Sequence, residues 1–290
     1  MVRLILSSMR PGQWVKNLLL FAGLIFSQNF FNPEMLLKSI FAFLLFCLFS
    51  GCVYILNDII DLEYDKSHPL KSKRAIASGQ LKVSSALAFS IILIIGSFIL
   101  SFYLNRNFGF IGLAYFVLNL VYSQYLKHIV IIDVMSISAG FVLRAVAGAV
   151  VIDVTISPWL IVCTTLLALF LGFGKRRQEL LILEEKATGH RKILSEYSPY
   201  FLDQLISVVT ASTVVAYAFY TVSPEVKTKL GVSHLELTIP FVLYGIFRYL
   251  YLIHQKEKGG SPAQLLLTDK PILIDVLFWL VSVFLILYLK

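Results

Sequence analysis

Charge is scarce in this 290-residue chain. Asp, Glu, Lys and Arg together make up 14% of it, against 58% for hydrophobic residues. A soluble domain carries about a quarter charged and about half apolar. Both departures, with a positive mean hydropathy, exclude an ordinary soluble domain. Cysteine is scarce as well: Cys47, Cys52 and Cys163 are odd in number and all lie in apolar runs. Their spacing matches no disulfide or metal framework, so they read as small buried residues. No small-residue cleavage site follows the first apolar run, which is preceded by a basic start from Arg3 to Lys16. That run therefore reads as the first helix of the mature protein, not as a cleaved leader. No catalytic histidine or cysteine constellation is evident either.

What the chain does have is long apolar runs. A bilayer core of about 30 Å takes roughly 20 apolar residues per spanning helix. Nine runs approach that length: 15–31, 35–56, 83–104, 108–126, 129–152, 157–174, 200–222, 236–254 and 271–289. The reading is a single membrane domain over 1–290, all-helical, with nine transmembrane helices and the N-terminus in the cytoplasm. Basic residues set the orientation. Lys38, Arg106, Lys227, Lys229 and Lys290 fall outside, Arg144 and Arg248 fall within spans, and every other Lys and Arg falls in cytoplasmic segments. The positive-inside rule then gives N-in and C-out, in a multi-pass plasma (inner) membrane protein. The net charge of +8 is accounted for by topology, and no nucleic-acid partner is needed. Two cytoplasmic connections are long, near 57–82 and 175–199. Long charged loops on one side of a bundle are where a site is expected.

The first loop carries Asn57-Asp58-Ile-Ile-Asp61-Leu-Glu-Tyr-Asp65. Asp58, Asp61 and Asp65 share one face of a helix, as do Asn57, Asp61 and Asp65. Three carboxylates within two turns repel unless a cation neutralises them, and hard oxygen ligands suit Mg²⁺ with a diphosphate. The stretch His68-Pro-Leu-Lys71-Ser-Lys73-Arg74 follows, supplying bases for the remaining phosphate charge. In the second loop Gly174-Lys175-Arg176-Arg177-Gln-Glu179-Leu180 is basic. One acidic and one basic loop should hold one metal-bound diphosphate and one further phosphate.

Asn-Asp-x-x-Asp-x-x-x-Asp at the end of the second helix resembles the first signature of the UbiA superfamily of intramembrane prenyltransferases. The basic stretch ending Ser78-Gly79 is similar to that family's too, although its usual Arg-Pro is Arg74-Ala75 here. Typical members have a second aspartate-rich motif after the sixth helix, binding a second Mg²⁺; here that place is cationic. One branch of the superfamily looks like this, the decaprenyl-phosphate (polyprenyl-phosphate) phosphoribosyltransferases. The similar stretches are Arg10-Pro-x-Gln13-Trp14-Val15-Lys16-Asn17, the Asn-Asp motif, Tyr122-Ser-x-x-Leu126-Lys127-His128, and Gly174-Lys-Arg-x-x-Glu179-Leu, with Arg191-Lys192-x-Leu-x-x-Tyr197 adding to them.

The resemblance implies transfer of 5-phosphoribosyl from 5-phospho-α-D-ribose 1-diphosphate (PRPP) to a polyprenyl phosphate. Pyrophosphate would be released and a lipid-linked phosphoribose made for cell-envelope polysaccharide synthesis. Asn57, Asp58, Asp61 and Asp65 would hold Mg²⁺, with Asp58, Asp61 and Asp65 catalytic. Lys16, Asn17, His68, Lys71, Arg74, Tyr122, Lys127, Lys175, Arg176 and Glu179 would hold the anionic substrates. Two alternatives stand beside it. One is an ordinary prenyltransferase, disfavoured by the cationic 174–179 segment. The other is an anion transporter, disfavoured by the odd helix number and the few ionisable groups at mid-depth. Among intramembrane charges, Asp133 and Arg144 are about 16 Å apart along the helix axis and so do not pair. Asp133 is expected to orient Lys127, and Arg248 to pair with Asp275. Either a monomer or a homo-oligomer is compatible with the chain.

Overall fold

Polar residues set where the helices start. The computed structural model describes residues 1–67, 71–184, 192–256 and 262–289. In it, Asn32 accepts from the backbone N–H groups of Glu34 and Met35 and opens α3, Pro33–Ile60, with proline at the first helical position. Asn105 does the same for α6, Arg106–Gln124, and Ser198 for α9, Pro199–Val222. Asp269 opens α13, Lys270–Tyr288. Each cap satisfies backbone donors that a helix start leaves unpaired. The other helices are α1 (Val2–Ser8), α2 (Phe21–Phe26), α4 (Leu62–Ser67), α5 (Val83–Leu104), α7 (Ile132–Val150), α8 (Pro158–Glu184), α10 (Pro224–Leu230), α11 (Ile239–Gln255) and α12 (Pro262–Thr268).

Seven helical stretches among the described residues are long and apolar enough to cross a membrane. They lie in α3, α5, α7, α8, α9, α11 (from Leu235) and α13. The chain is an integral membrane protein by this measure. Two of the nine expected runs fall outside that set. Residues 108–126 do form a helix, α6, but Arg106, Asn107, Asn119 and Gln124 dilute its apolarity. Residues 15–31 do not form one α-helix: Pro11–Leu20 winds as a 3-10 segment and only Phe21–Phe26 is α-helical. Arg10 precedes it in the left-handed region, at φ 53°.

The N-terminal segment lies in a groove of the bundle, and small residues make the groove. A Cβ on Gly148 would sit 1.9 Å from the Leu20 carbonyl oxygen, and one on Gly23 would sit 2.8 Å from Cα of Ala149. Only glycine allows backbones to approach so closely. Neighbouring helices follow chain order from α5 to α9, with α3 on α5 and α11 on α13. Near α13 the circuit returns to the N-terminal segment: the Tyr288 hydroxyl donates to the Ile25 carbonyl oxygen at 3.0 Å and accepts from the Phe30 N–H at 3.2 Å. Large apolar side chains such as Ile92, Ile95, Ile99 and Phe278 face outward, as lipid contact requires. The ends of α3, α6 and α8 and the starts of α5, α7 and α9 meet at one end of the bundle, and the charged side chains gather there.

Candidate active site

Asp58 and Asp65 are buried and face a common cation. Arg74 Nη1 lies 3.0 Å from Asp58 Oδ1 and also bonds Asp65. Arg10, stacked over the Tyr54 ring at 4.8 Å, adds a second ion pair to Asp58. Lys71 Nζ is 3.9 Å from Asp65 Oδ1. Asp61, more open, pairs with Lys127 Nζ at 3.0 Å. Asn57 turns its carboxamide oxygen to the Ser123 hydroxyl on α6. The acidic face exists as the spacing requires, since Asp61 and Asp65 continue the helical turns from Asn57. Its repulsion is relieved by arginine and lysine from three different segments.

The expected metal ligands are therefore engaged by cations, Asp58 and Asp65 by a shared arginine and Asp61 by a lysine. Among the described residues no three His, Cys, Asp or Glu side chains are grouped closely enough to hold a metal ion. In donor chemistry, however, the face fits a hard divalent cation. Asp65 is fully buried, and its Oδ1 has no hydrogen-bond partner, the Lys71 ammonium standing off at 3.9 Å. A buried carboxylate oxygen with unused lone pairs is costly unless something positive meets it. Asp58, Asp61 and Asp65 would hold such an ion, with Asn57 beside them.

The basic segment of α8 behaves differently from its sequence expectation. Arg176 is 0% exposed. Its guanidinium bonds Asp133 on α7, Glu179 one turn on, and the Tyr122 hydroxyl at 3.1 Å. Asp133 also accepts from the Tyr197 hydroxyl at 2.8 Å. Burial pushes that hydroxyl's pKa up, which keeps it a donor. The Tyr197 oxygen in turn accepts from the Ile131 N–H at 2.7 Å. Ile131 is a β-branched residue at φ 69°, a strained conformation that its surroundings must hold in place. Lys175 reaches Glu179 at 3.5 Å, so Lys175, Glu179, Arg176 and Asp133 form a charge-neutral chain. Arg177 pairs with Asp203 on α9.

Three expectations are corrected by these contacts. Asp133 serves Arg176, not Lys127, because the start of α7 faces α8. Arg248 pairs with Asp269 at 3.0 Å, not with Asp275, because Asp269 caps the start of α13 on the side that faces α11. Asn17 is fully buried: it accepts from Arg144 Nε at 2.8 Å and donates to Ser50 Oγ at 3.2 Å. Its carboxamide is thus spent inside the bundle.

Arg144 is 6% exposed and has no carboxylate partner among the described residues. Besides Asn17, it donates to the Gly140 carbonyl oxygen at 2.9 Å and the Tyr115 hydroxyl at 2.7 Å. Lys16, half-buried and outside the seven apolar helices, has no hydrogen bond or ion pair with any of the described residues. Burial, then the charges of Lys175, Arg144 and Arg10, push its ammonium pKa down to about 7. Lys16, Lys71, Arg74, Tyr122, Lys127, Lys175, Arg176 and Glu179 thus all lie at this end of the bundle. His68 lies outside the described residues. Arg10, Asp133, Arg144 and Tyr197 were missing from the expected site. The opposite charges of Asp133 and Arg176 were visible in the sequence, but their adjacency was not.

Residues 18–264 match the model of the UbiA prenyltransferase family. The chain belongs to the UbiA prenyltransferase family. This UbiA-family protein, and with it a transferase fold, has bacterial relatives of similar length. It is 31% identical to a decaprenyl-phosphate phosphoribosyltransferase of Corynebacterium glutamicum, over 98% of this chain and 86% of the relative. It is 30% identical to the protein of the same name from Mycolicibacterium smegmatis, over 95% and 90%. Among solved structures, a UbiA homolog from Archaeoglobus fulgidus bound to GPP and Mg²⁺ superposes with a TM-score of 0.74. That match has 17% identity and covers 98% of this chain and 99% of the other; it establishes the all-helical UbiA fold.

Proposed function

We propose that this protein transfers the 5-phosphoribosyl group of PRPP to a polyprenyl phosphate, with Mg²⁺, at the cytoplasmic face of the plasma membrane. The observation that carries the reading is that the acidic face has no aspartate-rich counterpart on α8, whose own cations are neutralised by Glu179, Asp133 and Asp203. Lys175, Arg176 and Arg177 stand where a second carboxylate motif would bind a second metal–diphosphate. The names of the bacterial relatives support the same donor and acceptor classes. The positive-inside distribution supports an N-in chain of nine crossings forming one domain. In that arrangement α6 and the segment that follows Lys16 join the seven apolar helices, and the residues up to Lys16 stay at the cytoplasmic side.

Bound at Asn57, Asp58, Asp61 and Asp65, Mg²⁺ would neutralise charge on the leaving diphosphate. The chain's own residues do the rest. Arg10, Arg74 and Lys127 now balance the carboxylates. On binding they are positioned to exchange those partners for phosphate oxygens, and Lys71 lies beside them. An oxygen of the acceptor phosphate attacks C1 of the ribose as the C1–O bond to the diphosphate breaks, and pyrophosphate leaves with that electron pair. The acceptor is anionic at neutral pH, so no general base is required. Positive charge developing at C1, as in other glycosyl transfers, is offset by the carboxylate nearest the sugar, Asp61 or Asp65. Arg176 and Tyr122 act as positioning residues, fixing α8 against α7 and α6 so that Lys175 and Glu179 edge the site. The lipid-linked phosphoribose would serve cell-envelope polysaccharide synthesis.

The test is incubation of purified protein with labelled PRPP, Mg²⁺ and a polyprenyl phosphate. An acid-labile, lipid-linked sugar phosphate is expected. No such product, with transfer from a prenyl diphosphate instead, refutes the reading.

A further inference from the structure

Most cations around the site are already matched. Arg74 and Arg10 are held by Asp58 and Asp65, Lys127 by Asp61, and Arg177 by Asp203, while Lys175 and Arg176 belong to the neutral chain through Glu179 and Asp133. Lys16 and Arg144 stand apart. They are the buried or half-buried cations here that lack a carboxylate partner among the described residues. They are also joined, because Asn17, the residue after Lys16, accepts the Arg144 Nε bond at 2.8 Å. The same 3-10 segment is preceded directly by Arg10, whose guanidinium sits on Asp58. The unmatched pair therefore belongs to the structure that borders the acidic face.

Neutral groups satisfy only part of Arg144's donor set. Three of its N–H groups meet Asn17, Gly140 and Tyr115, and the guanidinium lies over the Tyr115 and Phe141 rings at 4.7 and 5.2 Å. These contacts fix its orientation and leave its charge in place. Keeping two cations close together inside a membrane protein, with no counter-ion, is unfavourable; Lys16 loses its proton more easily there, and a ligand that provides a counter-charge relieves the repulsion. The ligand must bring about two negative charges and several acceptor oxygens. A phosphate monoester does so, with a charge of about −1.5 to −2 near neutral pH.

We propose that Lys16 and Arg144, linked through Asn17 and bordered by Lys175, form a phosphomonoester site beside the acidic face. It is separate from the place where the leaving diphosphate binds. The inference rests on the phosphoribosyl-transfer reading for the source of the phosphate, which is either the lipid acceptor's headgroup or the 5-phosphate of the sugar donor. It moves the second phosphate away from Arg176 and Arg177, whose donors are engaged, to a lysine with no partner among the described residues and an arginine oriented by Asn17, Gly140 and Tyr115.

Binding is the direct test, because it does not depend on turnover. The full chain in detergent micelles is titrated calorimetrically with a short-chain isoprenyl monophosphate and, separately, with ribose 5-phosphate. The corresponding isoprenyl alcohol serves as the phosphate-free control. Lys16→Met keeps the aliphatic stem and removes the charge; Lys16→Arg restores it. Lys16→Met should weaken at least one monophosphate tenfold or more, about 1.4 kcal/mol, leave the alcohol unchanged, and be rescued by Lys16→Arg. Loss confined to the isoprenyl ester assigns the site to the acceptor, and loss confined to ribose 5-phosphate assigns it to the donor. Arg144→Lys, checked for an unchanged unfolding midpoint, should weaken the same ligand. If both esters bind Lys16→Met as tightly as the unsubstituted protein, the site is overturned. A protein that binds as expected but transfers no phosphoribose would refute the functional reading while leaving the site standing.

Discussion

Arg176 gives the sharpest test of the architecture, because its sequence context suggests a phosphate ligand and its surroundings make it a buried cross-link. Its guanidinium and the Asp133 carboxylate are both fully buried. Removing one partner of such a pair leaves the other as an uncompensated buried charge, at a cost of about 3–5 kcal/mol. Replacing both by neutral groups of similar volume is often nearly neutral, because both desolvation penalties disappear together. Asp133→Asn and Arg176→Met should each lower the unfolding free energy in mixed micelles by that amount, and the double variant should cost no more than either alone. The coupling expected is at least about 2 kcal/mol, whereas independent sites add to within about 0.5 kcal/mol. Glu179, which remains in both variants, is partly exposed and keeps Lys175 as its partner. The same variants are assayed for PRPP dependence. Additive stabilities, with Arg176→Lys raising the KM for PRPP and leaving the unfolding free energy unchanged, would refute the cross-link and return Arg176 to the substrate.

Three further outcomes are expected. Asp61→Ala and Asp65→Ala should each lower labelled phosphoribosyl transfer by at least about a hundredfold, the scale of losing a group that stabilises transition-state charge; retained transfer in both would remove the acidic face from the site. Gly148→Ala places a methyl group 1.9 Å from the Leu20 carbonyl oxygen and should cost about 1–3 kcal/mol or more in unfolding free energy. Leu20→Ala should not restore it, because the clash is with backbone. Lys16, with its pKa lowered to about 7, loses its charge as pH rises from 6 to 8. Affinity for a monophosphate should therefore fall over that range relative to Lys16→Arg, which stays charged throughout; parallel profiles would remove Lys16 from the phosphate. The comparison with Lys16→Arg cancels the titration of the phosphate itself.

Much of the site could be read along the chain because its parts are local. Asp58, Asp61 and Asp65 share a face by helical spacing alone, and composition suffices for a membrane bundle. The basic stretches at 71–74 and 175–177 stand out without any knowledge of packing. The family resemblance also rested on short motifs at helix ends, which survive without tertiary information. What could not be read was how each charge is spent. Lys127 and Asp133, six residues apart, looked like partners. Helix rotation instead sends Lys127 to Asp61 and Asp133 to Arg176.

The amino-acid sequence by itself determined the solvent of this protein, its long helices after the first run and the acidic face at the end of α3, because hydrophobicity and periodicity act over neighbouring residues. The tertiary structure decided which cations remain unmatched. Arg144 meets Asn17 across 127 positions because glycines at 23 and 148 let the N-terminal segment sink against α7. That contact seats a 3-10 stretch of apparent membrane helix in the bundle, beside the acidic face that Arg10 reaches. A close approach of backbones depends on two distant surfaces at once, and no local spacing encodes it.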